Sequence, residues 1–239
     1  MRLMITRPEA DAGPLADALA GMGVESIVEP MLRIVMLDGP PPTLDGVQAL
    51  LVTSANGVRA LARRAPPQTM PVFAVGDATA QAARDVGFTT VDAAGGDVES
   101  LAELIRRRLD PSGGALLHVA SSTVAGDLGG ALQPAGFTYR RAVLYDARPT
   151  ERMSEAGERA LRDGGLQGVL LYSPRTARIF GRIVERSGLA DRCSRLTAFC
   201  LSSAVAASAA ALKWRRLTTA GRPDQPSMIA LIEAERSCG

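Results

Sequence analysis

Short apolar segments alternate with amphipathic, helix-like segments along the chain, and this alternation restricts the fold more than any other feature. After the first apolar segment, for example, Leu15, Leu19 and Met22 recur at helical spacing. We predict strands at 2–6, 25–35, 48–53, 71–75, 115–120, 139–147, 167–172 and 196–201. Strands that alternate with helices form parallel sheets, so the sequence predicts an α/β protein.

A capping signal predicts where one of the helices begins. Ser100 and Glu103 have the spacing of a capping box, and the residues that follow them supply an apolar stripe. We therefore expect a helix that begins near Ser100.

The composition indicates a globular, soluble protein without a nucleic-acid partner. The chain has 239 residues, of which 46% are hydrophobic and 22% are charged, which suits one large domain or two of ordinary size. The formal net charge of +2 is too small to favour a polyanionic partner. The run Arg106–Arg108 is expected to form a solvated helix face.

We expect a cytoplasmic protein without a membrane span, a metal site or a cofactor. The N-terminal sequence is too polar for a signal peptide, and serines interrupt the longest apolar run, 198–212. Cys193, Cys200 and Cys238 are odd in number and irregularly spaced, which favours neither disulfides nor zinc. The sequence contains neither a P-loop nor a dinucleotide-binding glycine motif. The one histidine, His118, is expected to be packed and hydrogen-bonded.

An internal duplication indicates two copies of one structural unit. At a shift of 113 positions, leucines and glycines of the first segment coincide with leucines and glycines later in the chain. The residues Leu3, Gly13, Leu15, Leu19 and Gly23 match Leu116, Gly126, Leu128, Leu132 and Gly136. The shift grows farther along, which indicates small loop insertions.

Hydroxyl residues recur where a predicted strand leads into a predicted helix. They are Ser54, Thr79, Ser173, Ser202 and Ser203. Residues at such positions cap helices, and a helix start also offers free N–H groups and a partial positive charge to an anion. We therefore expect an anion-binding site lined by donors rather than by nucleophiles. Neither Ser54 nor Ser173 lies in a nucleophile elbow, so a Ser-His-Asp triad is not favoured.

Several segments, taken in order, resemble the uroporphyrinogen-III synthase family over nearly the whole chain. They are "TRP" at 6–8, "VTSANGVRAL" at 52–61, "AVGDATAQAARDVGF" at 74–88, "GDVESLAELI" at 96–105, "AVLYDAR" at 142–148, "LLYSP" at 170–174 and "PSMIALI" at 226–232. Each segment is a weak signal alone, but their order and spacing are specific.

The resemblance implies two α/β domains with parallel sheets, joined by a two-stranded antiparallel connection, with the active site in the cleft between the domains. One domain is expected to contain 1–33 together with 149–239, and the other 38–142. The connecting strands are expected at approximately 27–35 and 140–148. The duplication alone would instead place a boundary near 110–114.

The implied reaction closes hydroxymethylbilane, a linear tetrapyrrole with eight carboxylates, to uroporphyrinogen III with inversion of the last ring and loss of water. The resemblance implies that Tyr145 donates a proton to the departing hydroxyl, which suits a phenol that is protonated at neutral pH. It places carboxylate-binding positions at Thr6, Arg7, Ser54, Asn56, Gly76, Thr79, Ser121, Ser122, Ser173, Ser202 and Ser203. A monomer without a cofactor is expected.

One departure and two alternatives remain open. Where the first copy has Gly76, the second has Cys200 and Leu201, which puts the roles of Ser202 and Ser203 in doubt. The alternatives are a non-catalytic two-domain binder of a small polyanion and a sugar-phosphate isomerase or transferase.

Overall fold

The computed structural model describes residues 1–123 and 126–237. The strands are β1 (Arg2–Ile5), β2 (Glu25–Val28), β3 (Leu32–Met36), β4 (Val47–Val52), β5 (Val72–Ala74), β6 (Val91–Ala93), β7 (Ala115–Ser121), β8 (Tyr139–Pro149), β9 (Gly168–Leu171), β10 (Thr197–Cys200) and β11 (Arg216–Thr219). The helices are α1 (Glu9–Gly21), α2 (Ala55–Ala62), α3 (Asp77–Asp85), α4 (Val98–Arg108), α5 (Leu128–Leu132), α6 (Glu155–Arg162), α7 (Pro174–Arg186), α8 (Ser203–Ala209) and α9 (Gln225–Ser237).

The chain divides into two compact units. Unit 1 contains Met1–Arg33 and Arg148–Gly239, and unit 2 contains Ile34–Ala147. The first unit is therefore assembled from both ends of the chain, whereas the second is continuous.

Unit 1 is built on a parallel sheet with the strand order β11-β10-β9-β1-β2. One of its interior strands, β1, is apolar on both faces because helices cover the sheet on both sides. Met4 packs into one core cluster, and Leu3 and Ile5 pack into the other. Continuous apolar runs such as this one explain why the central strands are recognisable in the sequence.

Unit 2 has the strand order β3-β8-β7-β4-β5-β6. Its ladders from β8 to β6 are parallel, and β3 runs antiparallel to β8. The whole of β7 is buried, with Leu117 and Val119 on one face and Leu116 on the other. The predicted α/β fold with parallel sheets is confirmed.

The predicted strand 25–35 is wrong in one respect, because two strands in different sheets take its place. β2 ends at Val28 and β3 begins at Leu32. Pro30, which lies between them, has no N–H to donate to a ladder. The carboxylate of Glu29, which is 3% exposed, accepts hydrogen bonds from the backbone N and the Oγ of Ser154 at the start of α6. This contact turns the chain out of the first sheet.

The predicted capping box is displaced by one turn. Asp97, not Ser100, is the residue before α4, and its Oδ1 accepts from the backbone N of Ser100 at 2.8 Å. The Oγ of Ser100 in turn accepts from the backbone N of Asp97 at 3.4 Å. Hydrogen bonding from the Ser100 side chain and from its backbone N–H to the carboxylate lowers the pKa of Asp97.

Two edge strands, β6 and β11, are absent from the sequence-based prediction. β6 has three half-buried residues, and β11 begins with exposed Arg216 and Leu217. Neither segment carries the apolar run that marks a central strand. In the described part of the chain, no helix is long and apolar enough to cross a membrane.

Candidate functional site

Unit 2 brings several of the predicted site residues to the carboxyl edge of its sheet. Ser54 follows β4, Gly76 follows β5, Ser121 ends β7, and Tyr145 lies beside Ser121 in the register of β8 and β7. Because these strands are parallel, their carboxyl ends meet at one edge, which is where ligands of α/β sheets bind.

Ser54 and Tyr145 form a direct hydrogen bond. The Ser54 Oγ and the Tyr145 hydroxyl are 2.8 Å apart. Ser54 is also the residue before α2, and its Oγ accepts from the backbone N of Gly57 at 3.2 Å. Tyr145 is 6% exposed and packs in the core cluster of unit 2. The phenol is thus held in the core with its hydroxyl at the start of α2.

Gly57 allows this close approach. A Cβ at Gly57 would lie 3.1 Å from the carbonyl oxygen of Val119 and 3.7 Å from a ring carbon of Tyr145. The first contact is closer than side chains normally make, and its partner is a backbone atom that cannot move alone. A glycine at this position therefore sets the distance between α2 and β7.

Two side chains of β8 hold the turn that follows β7. The Arg141 guanidinium donates to the carbonyl oxygens of Ser121 and Ser122, at 2.5 and 2.8 Å. The Ser122 Oγ donates to Asp146 Oδ1 at 2.5 Å. The Ser121 Oγ is buried and has no hydrogen-bond partner within the described residues. Arg141 and Asp146 were not predicted, and nothing in their spacing marks them.

The remaining candidates of unit 2 are Thr79, Gly76 and Asn56, of which only Thr79 was predicted to cap a helix. Thr79 does not cap α3. It lies in the first turn of that helix, and Gly76 is the residue before the helix. Gly76 packs closely, since a Cβ there would lie 3.3 Å from Gly96 Cα. Asn56 uses its side-chain oxygen to accept from Arg59 at 2.8 Å.

In unit 1, serines cap two of the helices that follow the central strands. Ser173 caps α7 in a capping box with Thr176, and Ser202 caps α8 by accepting from the backbone N of Val205 at 3.4 Å. Ser203 does not cap a helix, because it is already the first residue of α8. The predicted cap is thus confirmed for Ser54, Ser173 and Ser202 and wrong for Thr79 and Ser203.

Thr6 and Arg7 lie after β1, at the carboxyl edge of the same sheet. The buried Thr6 Oγ1 donates to the carbonyl oxygen of Leu170 at 2.6 Å. This bond links the end of β1 to β9 and uses the one proton of the hydroxyl. The Arg7 guanidinium lies 4.6 Å from the centre of the Tyr172 ring and donates to Gln225 Oε1 at 3.2 Å. Arg7 is therefore a half-buried cation held in a fixed orientation.

Tyr172 and Gln225 are contributors that the sequence analysis missed. Tyr172 directly precedes Ser173 in the segment "LLYSP", and this position could have identified it as a site residue. No comparable sequence signal marks Gln225. Burial raises the pKa of Tyr172 to about 12, although Arg7 opposes the shift. Tyr172 is consequently neutral and supplies its ring face to Arg7.

His118 is a packed, hydrogen-bonded residue, as predicted. Its Nδ1 lies 2.6 Å from the Tyr139 hydroxyl, and its Nε2 lies 3.1 Å from Thr53 Oγ1. Burial, assisted by the charge of Arg141, lowers the pKa of His118 to about 4. The imidazole is thus neutral at physiological pH.

The thiols of Cys193 and Cys200 are free and buried. Burial raises the pKa of Cys193 to about 12 and that of Cys200 to about 11. The Cys200 side chain packs in a core cluster of unit 1. Cys238 lies outside the described residues. No group of three or more potential ligands that could hold a metal ion is found over 1–123 and 126–237.

Comparisons with known proteins agree with this arrangement. The model of the family "HEM4: Uroporphyrinogen-III synthase HemD" matches residues 13–230. A mutant uroporphyrinogen III synthase from the extremely thermophilic bacterium Thermus thermophilus is similar, with 17% identity and a TM-score of 0.61, over 100% of both chains. Uroporphyrinogen-III synthetase from Helicobacter pylori is similar over 98% of this chain and 99% of that one, with 15% identity and a TM-score of 0.66. The search of curated proteins found no match.

At these identities the two structures establish the fold alone. The family model covers most of the sequence, including the segments that carry Ser54, Tyr145 and Ser173. The resemblance inferred from the sequence is therefore confirmed, and the chain belongs to the uroporphyrinogen-III synthase HemD family.

Proposed function

We propose that this chain closes hydroxymethylbilane to uroporphyrinogen III with Tyr145 as the proton donor. Family membership makes the chain a cyclising lyase of tetrapyrrole biosynthesis. The observation that supports the assignment of Tyr145 is its hydrogen bond to Ser54 at the carboxyl edge of the sheet. A phenol at this edge can reach a ligand and can lose a proton next to hydrogen-bond donors.

The proton balance of the reaction suits a single donor. The Tyr145 proton goes to the hydroxyl of the substrate, the C–O bond breaks with its electron pair, and water leaves. The resulting azafulvene cation forms a carbon–carbon bond to the substituted carbon of the last ring, which gives a spiro intermediate. The bond from that carbon to its original methylene bridge then breaks, and the freed methylene, again an azafulvene cation, bonds to the unsubstituted carbon of the same ring, which is thereby inverted. The ring system finally loses one proton, which restores the Tyr145 phenol.

The substrate carboxylates require donors rather than acids. Helix starts provide backbone N–H groups, as at Gly76 before α3 and Ser173 before α7. Arg7 provides a guanidinium whose orientation is fixed by Tyr172 and Gln225. Binding shared among many such groups positions a flexible chain for closure at one carbon, and positioning is the main catalytic contribution.

The assay uses purified protein, freshly prepared hydroxymethylbilane and chromatographic separation of the product isomers. We expect the type III isomer. Exclusive formation of the type I isomer would indicate a protein that binds a polyanion without directing closure.

Replacing Tyr145 tests the proton donor. Tyr145→Phe should lower kcat by about 10²–10⁴-fold with little change in apparent KM, because general acid catalysis contributes that much. Tyr139→Phe is the matched control: it makes the same change on β8, at a residue bound to His118. It should retain turnover. Nearly full turnover in Tyr145→Phe would refute the donor assignment and leave the family activity intact.

A further inference from the structure

Ser54 can serve either as a carboxylate ligand or as a partner of Tyr145, and its contacts distinguish the two roles. A serine hydroxyl has one proton to donate and two lone pairs that accept. One lone pair of the Ser54 Oγ accepts from the backbone N of Gly57, and the same oxygen lies 2.8 Å from the Tyr145 hydroxyl. The direction of the bond to Tyr145 therefore decides whether a proton remains for a substrate.

The direction follows from the proposed chemistry. A tyrosine that gives its proton to a leaving hydroxyl must point its O–H at the substrate, so it cannot donate to Ser54 at that moment. Ser54 then donates to the phenol oxygen, and its only proton is occupied. A carboxylate can accept hydrogen bonds but cannot donate them, so Ser54 has nothing to offer it.

On this basis, which rests on the proposed role of Tyr145, we propose that Ser54 is a positioning residue that orients the Tyr145 hydroxyl and stabilises the phenolate left by proton transfer. The substrate carboxylates then bind to other donors. A hydrogen bond from a hydroxyl to an oxyanion is stronger than one between neutral groups.

The start of α2 acts in the same direction. Free N–H groups and a partial positive charge at a helix N-terminus favour a nearby anion. The first turn of α2 contains no acidic residue that would cancel this charge. Gly57 holds that turn against Val119 and the Tyr145 ring. The partial positive charge at the start of α2 therefore lies beside the Tyr145 phenol and stabilises a transient phenolate there.

The kinetic test separates the loss of the hydroxyl from the loss of the cap. Ser54→Gly removes the hydroxyl but retains most of the capping stability, since glycine is nearly as good at this position. It should lower kcat by about tenfold or more while apparent KM changes little, because one charge-assisted hydrogen bond is lost in the transition state. Ser54→Thr, which keeps the hydroxyl, should restore most of the turnover.

A double variant tests whether Ser54 acts through Tyr145. If it does, adding Ser54→Gly to Tyr145→Phe should cause little further loss of kcat, because the interaction is already absent. Full additivity of the two losses would overturn the proposal.

A direct titration of Tyr145 supplies a readout that does not depend on activity. The chain has three tyrosines. With Tyr139→Phe and Tyr172→Phe in place, ultraviolet difference spectra report tyrosinate formation at Tyr145 alone. Ser54→Gly should move this ionisation to higher pH by about one unit, the shift expected when a charge-assisted hydrogen bond is lost. Circular dichroism checks that each variant is folded.

Two results have different meanings. An unchanged Tyr145 ionisation together with a raised apparent KM in Ser54→Gly would overturn the positioning role and make Ser54 a carboxylate ligand. Full turnover in Tyr145→Phe would overturn Tyr145 as the proton donor, and with it the positioning role of Ser54, whatever the Ser54 variants show.

Discussion

His118 is a neutral side chain in the interior of unit 2, and its neutrality has a thermodynamic consequence. It is 3% exposed, and both ring nitrogens have hydrogen-bond partners. An unfolded chain protonates its histidine near the ordinary pKa of 6.5, whereas the folded chain does so only near 4. Between these values the unfolded state binds the additional proton, so acid favours unfolding.

The free energy of unfolding should therefore fall as the pH decreases from about 6.5 to about 4, by about 3 kcal/mol in total. In His118→Asn this contribution should disappear. Urea unfolding curves at several pH values across the window measure it. An identical pH dependence in the variant would show that other groups cause the loss.

At the residue scale, the sequence reveals which positions are special but not what each position contacts. Ser54 is recognisable because a hydroxyl follows an apolar strand, and its capping role was predictable from that context. Its partner Tyr145 is 91 positions away in the chain, and the two meet only because β4 and β8 flank β7. Thr79 carries the same type of signal, yet Gly76 precedes the helix instead.

At the element scale, the carboxylate of Glu29 joins two distant segments of unit 1. It lies at the start of α6, where it accepts from the backbone N of Ser154 at 2.9 Å and from its Oγ at 2.5 Å. Thr150 adds a bond from its Oγ1 to the carbonyl oxygen of Pro30 at 2.6 Å. An anion is favoured at this helix end by the free N–H groups and the helix dipole.

Removing this carboxylate should destabilise the protein. Glu29→Ala removes two hydrogen bonds from Ser154 to a buried carboxylate, which should cost about 2–3 kcal/mol of unfolding free energy. Glu25→Ala is the matched control, because its side chain is 81% exposed and its ion pair with Arg2 is long, at 3.9 Å. It should change stability by less than about 0.5 kcal/mol. Equal losses in urea unfolding of the two variants would contradict this role.

The same segment shows why element boundaries are hard to predict. The run at 25–35 is apolar on both sides of Glu29 and Pro30, so periodicity alone continues the strand through them. The break depends on Ser154, which is remote in sequence. The edge strands β6 and β11 escape prediction for a different reason, since edge strands bury less surface and need fewer apolar residues.

At the scale of the whole molecule, the strand orders predict that unit 2 can fold alone, whereas unit 1 needs segments from both ends of the chain. All the strands of the sheet in unit 2 lie in one continuous segment, 32–149. The central strands of unit 1 come from both chain ends, because β1 pairs with β9 on one side and β2 on the other.

A fragment of residues 32–149 should therefore fold alone, whereas 150–239 should not, because it lacks β1 and β2. Joining 150–239 to 1–31 through a flexible Gly-Ser linker should restore folding by completing the sheet. Circular dichroism and cooperative urea unfolding of the three fragments test this. Cooperative unfolding of 150–239 alone would contradict it.

The position of β1 in its sheet also has a consequence during protein synthesis. The bond from Thr6 to Leu170 spans 164 positions, and Leu3, Met4 and Ile5 are completely buried once the sheet forms. A ribosome that adds about 5–20 residues per second takes roughly ten to thirty seconds to cover that distance. Unit 2 emerges in full during this interval, while β1 still lacks β9, its neighbour on one side. The nascent chain thus carries an apolar strand with one unpaired edge throughout the synthesis of unit 2.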